Sequence, residues 1–349
     1  MNEEYKAPRT DKRSDTKKRA VFFGELLMRL DTKRFERFVQ ARQWDVYYTG
    51  GEANAAVSLA NFGIGSTVVS AVPDNEIGQA CINYIRQFGV DTDYILRQGN
   101  RLGILFVETG ASQRPSRVIY DRSGSSFTEI KPGDLPWKQI FRDEHWFHFT
   151  GTAPALGKNA AEVVSEACMI AHRLGLTVSC DLNYRRKLWS AGNARSTMQA
   201  LMKDVDVLIG NGMDAGLLLA PQENESGETD PDLLARDLLD RYSFKAVALT
   251  SRKAVSASEN DWSGYLYDGK DAYRSKEYRI RMVDRIGGGD AFTGALIYGF
   301  LKGLDTQLCL DFAVAAACLK HSIHGDFNLV SVEEVMSLLS GEDPGRVQR

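Results

Sequence analysis

The sequence predicts an α/β fold built on a mostly parallel sheet, with a small β lid beside it. Three observations carry that expectation. Short β-branched and aromatic runs alternate with longer stretches of helical period. Several of the runs are apolar at nearly every position rather than at every second one, as in strands covered on both faces. Two segments, residues 30–49 and 101–122, interrupt the alternation.

In chain order, Ala20-Val21-Phe22-Phe23 reads as the first strand. Ala53, Ala56, Val57 and Ala60 then fall at i, i+3, i+4 and i+7, and Gly63 stands where a left-handed cap would end that helix. The runs 67–72, 176–180, 205–209 and 246–250 read as central strands, and residues 158–174, 230–242 and 290–302 repeat the helical pattern. Within the interrupting segments, Ile104–Val107 and Arg117–Tyr120 read as strands with no helix between them. Antiparallel strands of this kind form a natural lid over the carboxyl ends of the main strands, where α/β folds bind ligands.

Composition sets the outer limits. The 349 residues are 43% hydrophobic and 26% charged, an ordinary globular balance. Lys and Arg number 43 against 46 Asp and Glu, a net charge of −3, so no basic excess points to nucleic acid or an anionic membrane. No stretch approaches the run of about 18 apolar residues that a membrane-spanning helix needs. Residues 1–19 are rich in Lys and Arg with no apolar stretch behind them until Val21, so they read as a solvated extension rather than a secretory signal. The five cysteines (81, 168, 180, 309 and 318) are scattered and never Cys-x-x-Cys, which fits reduced thiols in a cytoplasm. The expected organisation is therefore a large domain over 20–340, carrying the two lid segments.

The richest motif is Asp284-Arg285-Ile286-Gly287-Gly288-Gly289-Asp290, which runs straight into a helical pattern. Glycines let amides converge with no Cβ in the way, and the free amides of a first helical turn attract an anion such as phosphate. Asp290 would then stand beside that anion hole, able to take a proton from a hydroxyl attacking a γ-phosphoryl group. The plain alternative is a flexible turn with Asp290 as N-cap. Thr49-Gly50-Gly51-Glu52-Ala53-Asn54 lets a polyol approach the backbone, with Asn54 offering both donor and acceptor; its plain reading is a turn and a cap. Asp181-Leu182-Asn183-Tyr184-Arg185 follows a central strand, where Arg185 suits a carboxylate or phosphate, unless it is a surface cluster of local ion pairs.

Other patterns are set aside. Gly151–Asn159 separates its glycines by five residues where a P-loop has four, and Asn159 stands in place of Ser or Thr. Gly287-x-Gly289 lacks the third glycine of a dinucleotide fingerprint. Cys318, His321 and His324 do not share one helix face, and His145 and His148 stand among aromatics on a strand as core or edge residues.

Taken in order, Gly50-Gly51-x-x-Asn54, Asp181-x-Asn183-x-Arg185, Asn211 after a strand and Asp284-x-x-Gly-Gly-Gly-Asp290 resemble the ribokinase-like (PfkB) carbohydrate kinases over most of 20–330. The resemblance implies a ribokinase-like three-layer α/β/α sandwich with a small β-sheet lid. It implies Asp290 as catalytic base and Gly287, Gly288 and Gly289 as the anion hole for the ATP γ-phosphate. Within the family the chain looks most like 2-keto-3-deoxygluconate kinases, through Gly-Gly-Glu-Ala-Asn at 50–54, Tyr120-x-Arg122, Asn183-Tyr184-Arg185 and Asp326. By that resemblance Gly50, Gly51, Asn54, Tyr120, Arg122, Arg185, Asp290 and Asp326 face the acid sugar, and Asn183, Asn211, Thr250 and Ser251 face ATP. Mg²⁺ is implied, with Asp214 a candidate through water; a monovalent cation is left open. A homo-oligomer, dimer or higher, through the lid is also implied. Four positions depart from the family pattern: Thr49 for its first glycine, Gly288 for its alanine, Asn211-Gly212-Met213-Asp214 for Asn-Glu-x-Glu, and Thr250–Ala254 without the usual nucleotide-loop glycines. The expected activity is ATP-dependent phosphorylation of the terminal hydroxyl of 2-keto-3-deoxygluconate; the alternatives are a neutral-sugar kinase or a non-catalytic binding homologue.

Overall fold

The computed structural model of the chain describes residues 18–220 and 230–341. The expected solvated extension therefore falls outside the described residues as far as residue 17. The chain order is β1 (Arg19–Phe23), β2 (Leu27–Thr32), β3 (Trp44–Thr49), α1 (Gly51–Asn61), β4 (Gly65–Val72), α2 (Glu76–Arg86), β5 (Ile95–Arg97), β6 (Gly103–Glu108) and β7 (Arg117–Asp121). There follow α3 (Trp137–Ile140), β8 (Trp146–Thr150), α4 (Lys158–Arg173), β9 (Thr177–Asp181), α5 (Ala191–Leu201), β10 (Val207–Asn211), α6 (Gly212–Leu219) and α7 (Pro231–Tyr242). The chain continues with β11 (Ala246–Ala254), β12 (Glu259–Tyr267), β13 (Ala272–Arg274), β14 (Tyr278–Arg281), α8 (Gly288–Lys302), α9 (Thr306–Lys320) and α10 (Val332–Ser340).

The main sheet runs β13-β12-β11-β10-β9-β8-β1-β4-β5, parallel from β11 to β5, with β14 also paired to β12. Its two faces feed two separate cores. On β1, Ala20 and Phe22 join the core under α1, α8 and α9, while Val21 and Phe23 join the one under α4–α7; on β11, Ala246 and Ala248 divide from Val247 and Leu249 in the same way. Burial on both sides is why these strands read as unbroken apolar runs. The result is the three-layer α/β/α arrangement.

A second sheet of four strands has the order β3-β2-β6-β7. It departs from expectation in two respects. The pair β2/β6 at its centre is parallel rather than antiparallel. And β2 begins at Leu27, ahead of residue 30, because its alternation is inverted: the inward positions are Leu27, Arg29 and Asp31, while Met28 and Leu30 are half-exposed. A buried face made of charge hides the strand from any hydrophobic count.

Three further boundaries differ. Arg19 belongs to β1 rather than to the extension, and its guanidinium is held by Glu144 at 3.0 Å. β11 continues past the expected end at Thr250 to Ala254 in a hairpin with β12, so Ser251 to Ala254, expected as part of a nucleotide loop, form a strand. Asp326 is followed by one more helix, α10, opened by a Ser331–Glu334 capping box. The five cysteines are all free, four of them buried, and among the described residues no helix is long and apolar enough to cross a membrane.

Candidate active site

The site grows from the start of α8. Gly287 turns the chain with φ of 84°, a left-handed value, and a Cβ there would run into the Asp326 carbonyl. The first helical bond is made by the amide of Ala291 to the Gly287 carbonyl, 2.8 Å. The amides of Gly288, Gly289 and Asp290 therefore precede the hydrogen-bonded ladder, and no side chain caps them. Asp290 is the third helical residue rather than the N-cap, which leaves its carboxylate beside those donors.

Gly288 has a local reason to lack a side chain. His321, just after α9, lies against it, so that a Cβ would stand 2.5 Å from the ring Nε2 and 3.2 Å from Nδ1. The ring cannot easily yield: its Nδ1 lies 2.5 Å from the Ala317 carbonyl and its face packs on Trp262.

Across from the hole, Asn54 in the first turn of α1 donates its Nδ2 to Asp290 Oδ2 at 2.6 Å. Gly51 faces the same point, since a Cβ there would meet Asp290 Oδ1 at 3.5 Å and Asn183 Nδ2 at 3.6 Å. Asn183 adopts φ of 37°, a left-handed geometry that asparagine tolerates, and its amide bonds Asp181 Oδ1 at 3.0 Å at the end of β9. Gly51, Asn54, Asn183 and Asp290 thus converge. Asn183, expected on the nucleotide, lies beside Gly51 and Asp290.

Carboxyls crowd this point. Burial pushes Asp290 up to about 6, against the pull of the Asn54 hydrogen bond. Asp181 rises to about 7 through burial and the nearby Asp290 charge. Glu52, whose Oε1 accepts the Thr150 amide at 3.0 Å, is likewise pushed by burial to about 7. Arg185 is exposed, and its charge draws down Asp290, Asp181 and Asp214 alike. A carboxylate near its own pKa at neutral pH, hydrogen-bonded in place, is suited to accept a proton.

Asn211 caps α6: its Oδ1 accepts the Asp214 amide at 2.9 Å and its Nδ2 holds Asp214 Oδ2 at 2.8 Å. No group of three or more metal-ligating side chains lies together among the described residues. That donor set fits a Mg²⁺ held mainly by phosphate and water, which one carboxylate such as Asp214 could orient. Thr250 bonds the Gly210 carbonyl at 3.2 Å, tying β11 to β10, and Ser251 is exposed beyond it.

Two expected sugar contacts have other partners. Arg122 Nε lies 2.8 Å from Glu25 Oε2, and its guanidinium stacks over Tyr120 at 5.0 Å. Glu25 in turn accepts the Ser125 hydroxyl, and its carbonyl backs onto Gly50. Asp326 is buried, with one oxygen on Arg29 and the other facing the Thr49 hydroxyl. Arg29 also binds Asp31 through Nε and Nη2, and Asp284 through Nη2 at 2.8 Å, forming a hub between the small sheet and the turn before the hole. Thr49 stands 3.1 Å from Asn54 Oδ1, so the hub continues to Asp290. Sequence reasoning assigned no role to Arg29, Glu25, Glu52, Asp181 or His321. The inverted polarity of β2 was the one available signal for Arg29.

The chain is similar to known proteins over most of its length. The model of the pfkB family carbohydrate kinases matches residues 17–330. A 2-dehydro-3-deoxygalactonokinase of Haloferax volcanii is 31% identical over 325 residues, 93% of this chain and 98% of its own. A 2-dehydro-3-deoxygluconokinase of Thermoproteus tenax is 28% identical, over 88% of this chain and 89% of its own. The crystal structure of a 2-dehydro-3-deoxygluconokinase from Thermotoga maritima superimposes with a TM-score of 0.89 at 44% identity, covering 93% of this chain and 98% of that one. With its Gly-rich turn, its embedded aspartate and its second small sheet, the chain belongs to the pfkB family of carbohydrate kinases.

Proposed function

We propose that this sugar kinase transfers the γ-phosphoryl group of ATP to the terminal hydroxyl of 2-keto-3-deoxygluconate. The observation that carries the reading is the pairing of Asp290, fixed by Asn54 beside uncapped amides, with the exposed Arg185 close enough to bias its ionisation. The hydroxyl proton passes to Asp290 as the sugar oxygen forms its bond to phosphorus and the bond to the β-phosphate oxygen breaks. The amides of residues 288–290 take up charge on the phosphoryl oxygens. Mg²⁺, which Asp214 would help to hold through water, would supply positive charge against the phosphates. Arg185 meets the sugar carboxylate, and the names of the similar proteins support an acid substrate.

A neutral-sugar kinase is the second reading, favoured by one observation: Arg122 is already neutralised by Glu25. ADP release measured over a panel of 2-keto-3-deoxygluconate, its galacto epimer, fructose and ribose decides between them. Arg185→Ala should lower kcat/KM for the acid sugar by about ten- to a hundred-fold, the worth of a charged hydrogen bond, and lower it far less for neutral sugars, which lose only its influence on Asp290. Turnover of neutral sugars alone refutes the acid-sugar reading, and ligand-induced thermal stabilisation with no ADP release refutes catalysis.

The same reading includes a homo-oligomer joined through the small sheet. Val46, Leu30, Phe106 and Ile119 lie in register across its four strands, and Val46 and Ile119 are about half exposed. A monomer by sedimentation velocity would refute it.

A further inference from the structure

Lys320, the last residue of α9, is fully buried, and its Nζ has no hydrogen-bond partner. Burial pushes the Lys320 amine below the ordinary lysine pKa, and the carboxylates of Asp284, Asp326 and Asp290 oppose that push through space. Its surroundings belong to the transfer site. The carbonyl of the next residue, His321, accepts the amides of Val283 at 2.8 Å and Asp284 at 3.3 Å, and its ring backs Gly288. The end of α9 is thereby laced to the turn that forms the anion hole.

The charged groups around Lys320 are Asp284 from the turn before α8, Asp326 from the loop after α9, Asp290 from α8 and Arg29 from β2. The two structural aspartates are already engaged. Asp284 binds Arg29, the Ile286 amide and the Gly325 amide; Asp326 binds Arg29 and Thr49. Asp290 has only Asn54. The lysine charge is thus left over in a cluster whose remaining need is at the reacting end.

We infer that Lys320 is an electrostatic positioning residue of the phosphoryl-transfer site: an ammonium fixed behind the glycine turn that favours negative charge on its far side, on the Asp290 carboxylate before transfer and on the phosphoryl oxygens during it. It touches neither substrate, acts in a low-dielectric wall where a charge carries far, and needs no reorganisation as the reaction proceeds. The inference rests on the kinase reading above. The coupling is visible in the ground state, where the Lys320 charge draws the Asp290 carboxyl down against the larger upward push of burial.

The test compares Lys320→Met and Lys320→Gln, which remove the charge at similar length, with Lys320→Arg, which keeps it. The pH profile of kcat/KM is read together with thermal unfolding. The neutral variants should move the acid limb upward by about one pH unit and lower kcat about ten- to a hundred-fold, while KM for the sugar changes less than about two-fold; Lys320→Arg should keep the limb in place. An unmoved limb in whichever neutral variant folds, or the same displacement in Lys320→Arg, overturns the proposal. If the parent protein transfers phosphate to no sugar, it is the kinase reading that fails. Lys320 is then judged by the Asp290 carboxyl titration in ¹³C NMR, identified by its loss in Asp290→Asn. A titration that does not rise in Lys320→Met overturns the inference on its own.

Discussion

Gly288→Ala is the sharpest test of how the anion hole is built, because alanine is what the resemblance leads one to expect at that position. The added methyl would lie 2.5 Å from His321 Nε2, more than an ångström inside ordinary van der Waals contact. The ring is pinned by the Ala317 carbonyl on one side and Trp262 on the other. Relief must come from the ring or from the turn. Overpacking of this kind costs about 1–3 kcal/mol. For a chain of 349 residues the unfolding entropy near 60 °C is about 0.7 kcal/mol/K, so the melting temperature should fall by about 1–4 °C. Calorimetry of Gly288→Ala, His321→Ala and the double variant closes a cycle. The double variant should be more stable than the sum of the singles predicts by about 1–2 kcal/mol, because the methyl then fills the space the ring vacates. Kinetics show which part moved: a displaced turn lowers kcat, and a displaced ring leaves it. A cycle that adds within about 0.5 kcal/mol, or an unchanged melting temperature in Gly288→Ala, refutes the packing argument.

Two further predictions concern the carboxyls. Asp290→Asn should lower kcat by about 10²–10⁴ with substrate binding kept, and the parent enzyme should lose kcat/KM as pH falls through about 6, where the base takes up its proton; full activity in the variant would sink the assignment. Glu52→Gln should stabilise the protein at pH 8 and change little at pH 5. The folded-state pKa of Glu52 is raised from 4.5 to about 7, so the folded protein binds the extra proton and the charge costs stability as pH rises across that window, by about 3 kcal/mol at most; equal melting shifts at both pH values would show that the group is not a buried acid.

What the sequence reveals follows from what fills each surface. β1 and the first half of β11, Ala246–Leu249, are legible because both their faces pack on helices, so nearly every residue there is apolar. The turn at 287–290 is legible because its glycines answer to backbone geometry and close approach, which are local demands. Residues whose role is set by distant partners are not. The resemblance implies a sugar contact for Asp326, and the structure adds a network with Arg29 across 297 positions that no local pattern announces. Arg122 reads as a free cation until Glu25 is placed beside it. The strand read over 246–250 stops short of Ser251 because nothing near it announces the antiparallel partner β12.

The Arg29 hub gives the net charge of −3 a local meaning. Arg29 gathers Asp31 from its own strand, Asp284 from the turn before the anion hole and Asp326 from the loop behind it, so one cation joins the small sheet to both supports of the glycine turn. The relay continues from Asp326 through Thr49 and Asn54 to Asp290. By donating toward Asn54 Oδ1 at 3.1 Å, the Thr49 hydroxyl favours the orientation in which Asn54 Nδ2 faces the base. Movement of the small sheet must therefore either carry the turn with it or break a buried ion pair, which costs about 3–5 kcal/mol when one partner is lost. The position of that sheet and the geometry of the base are set by the same buried charges.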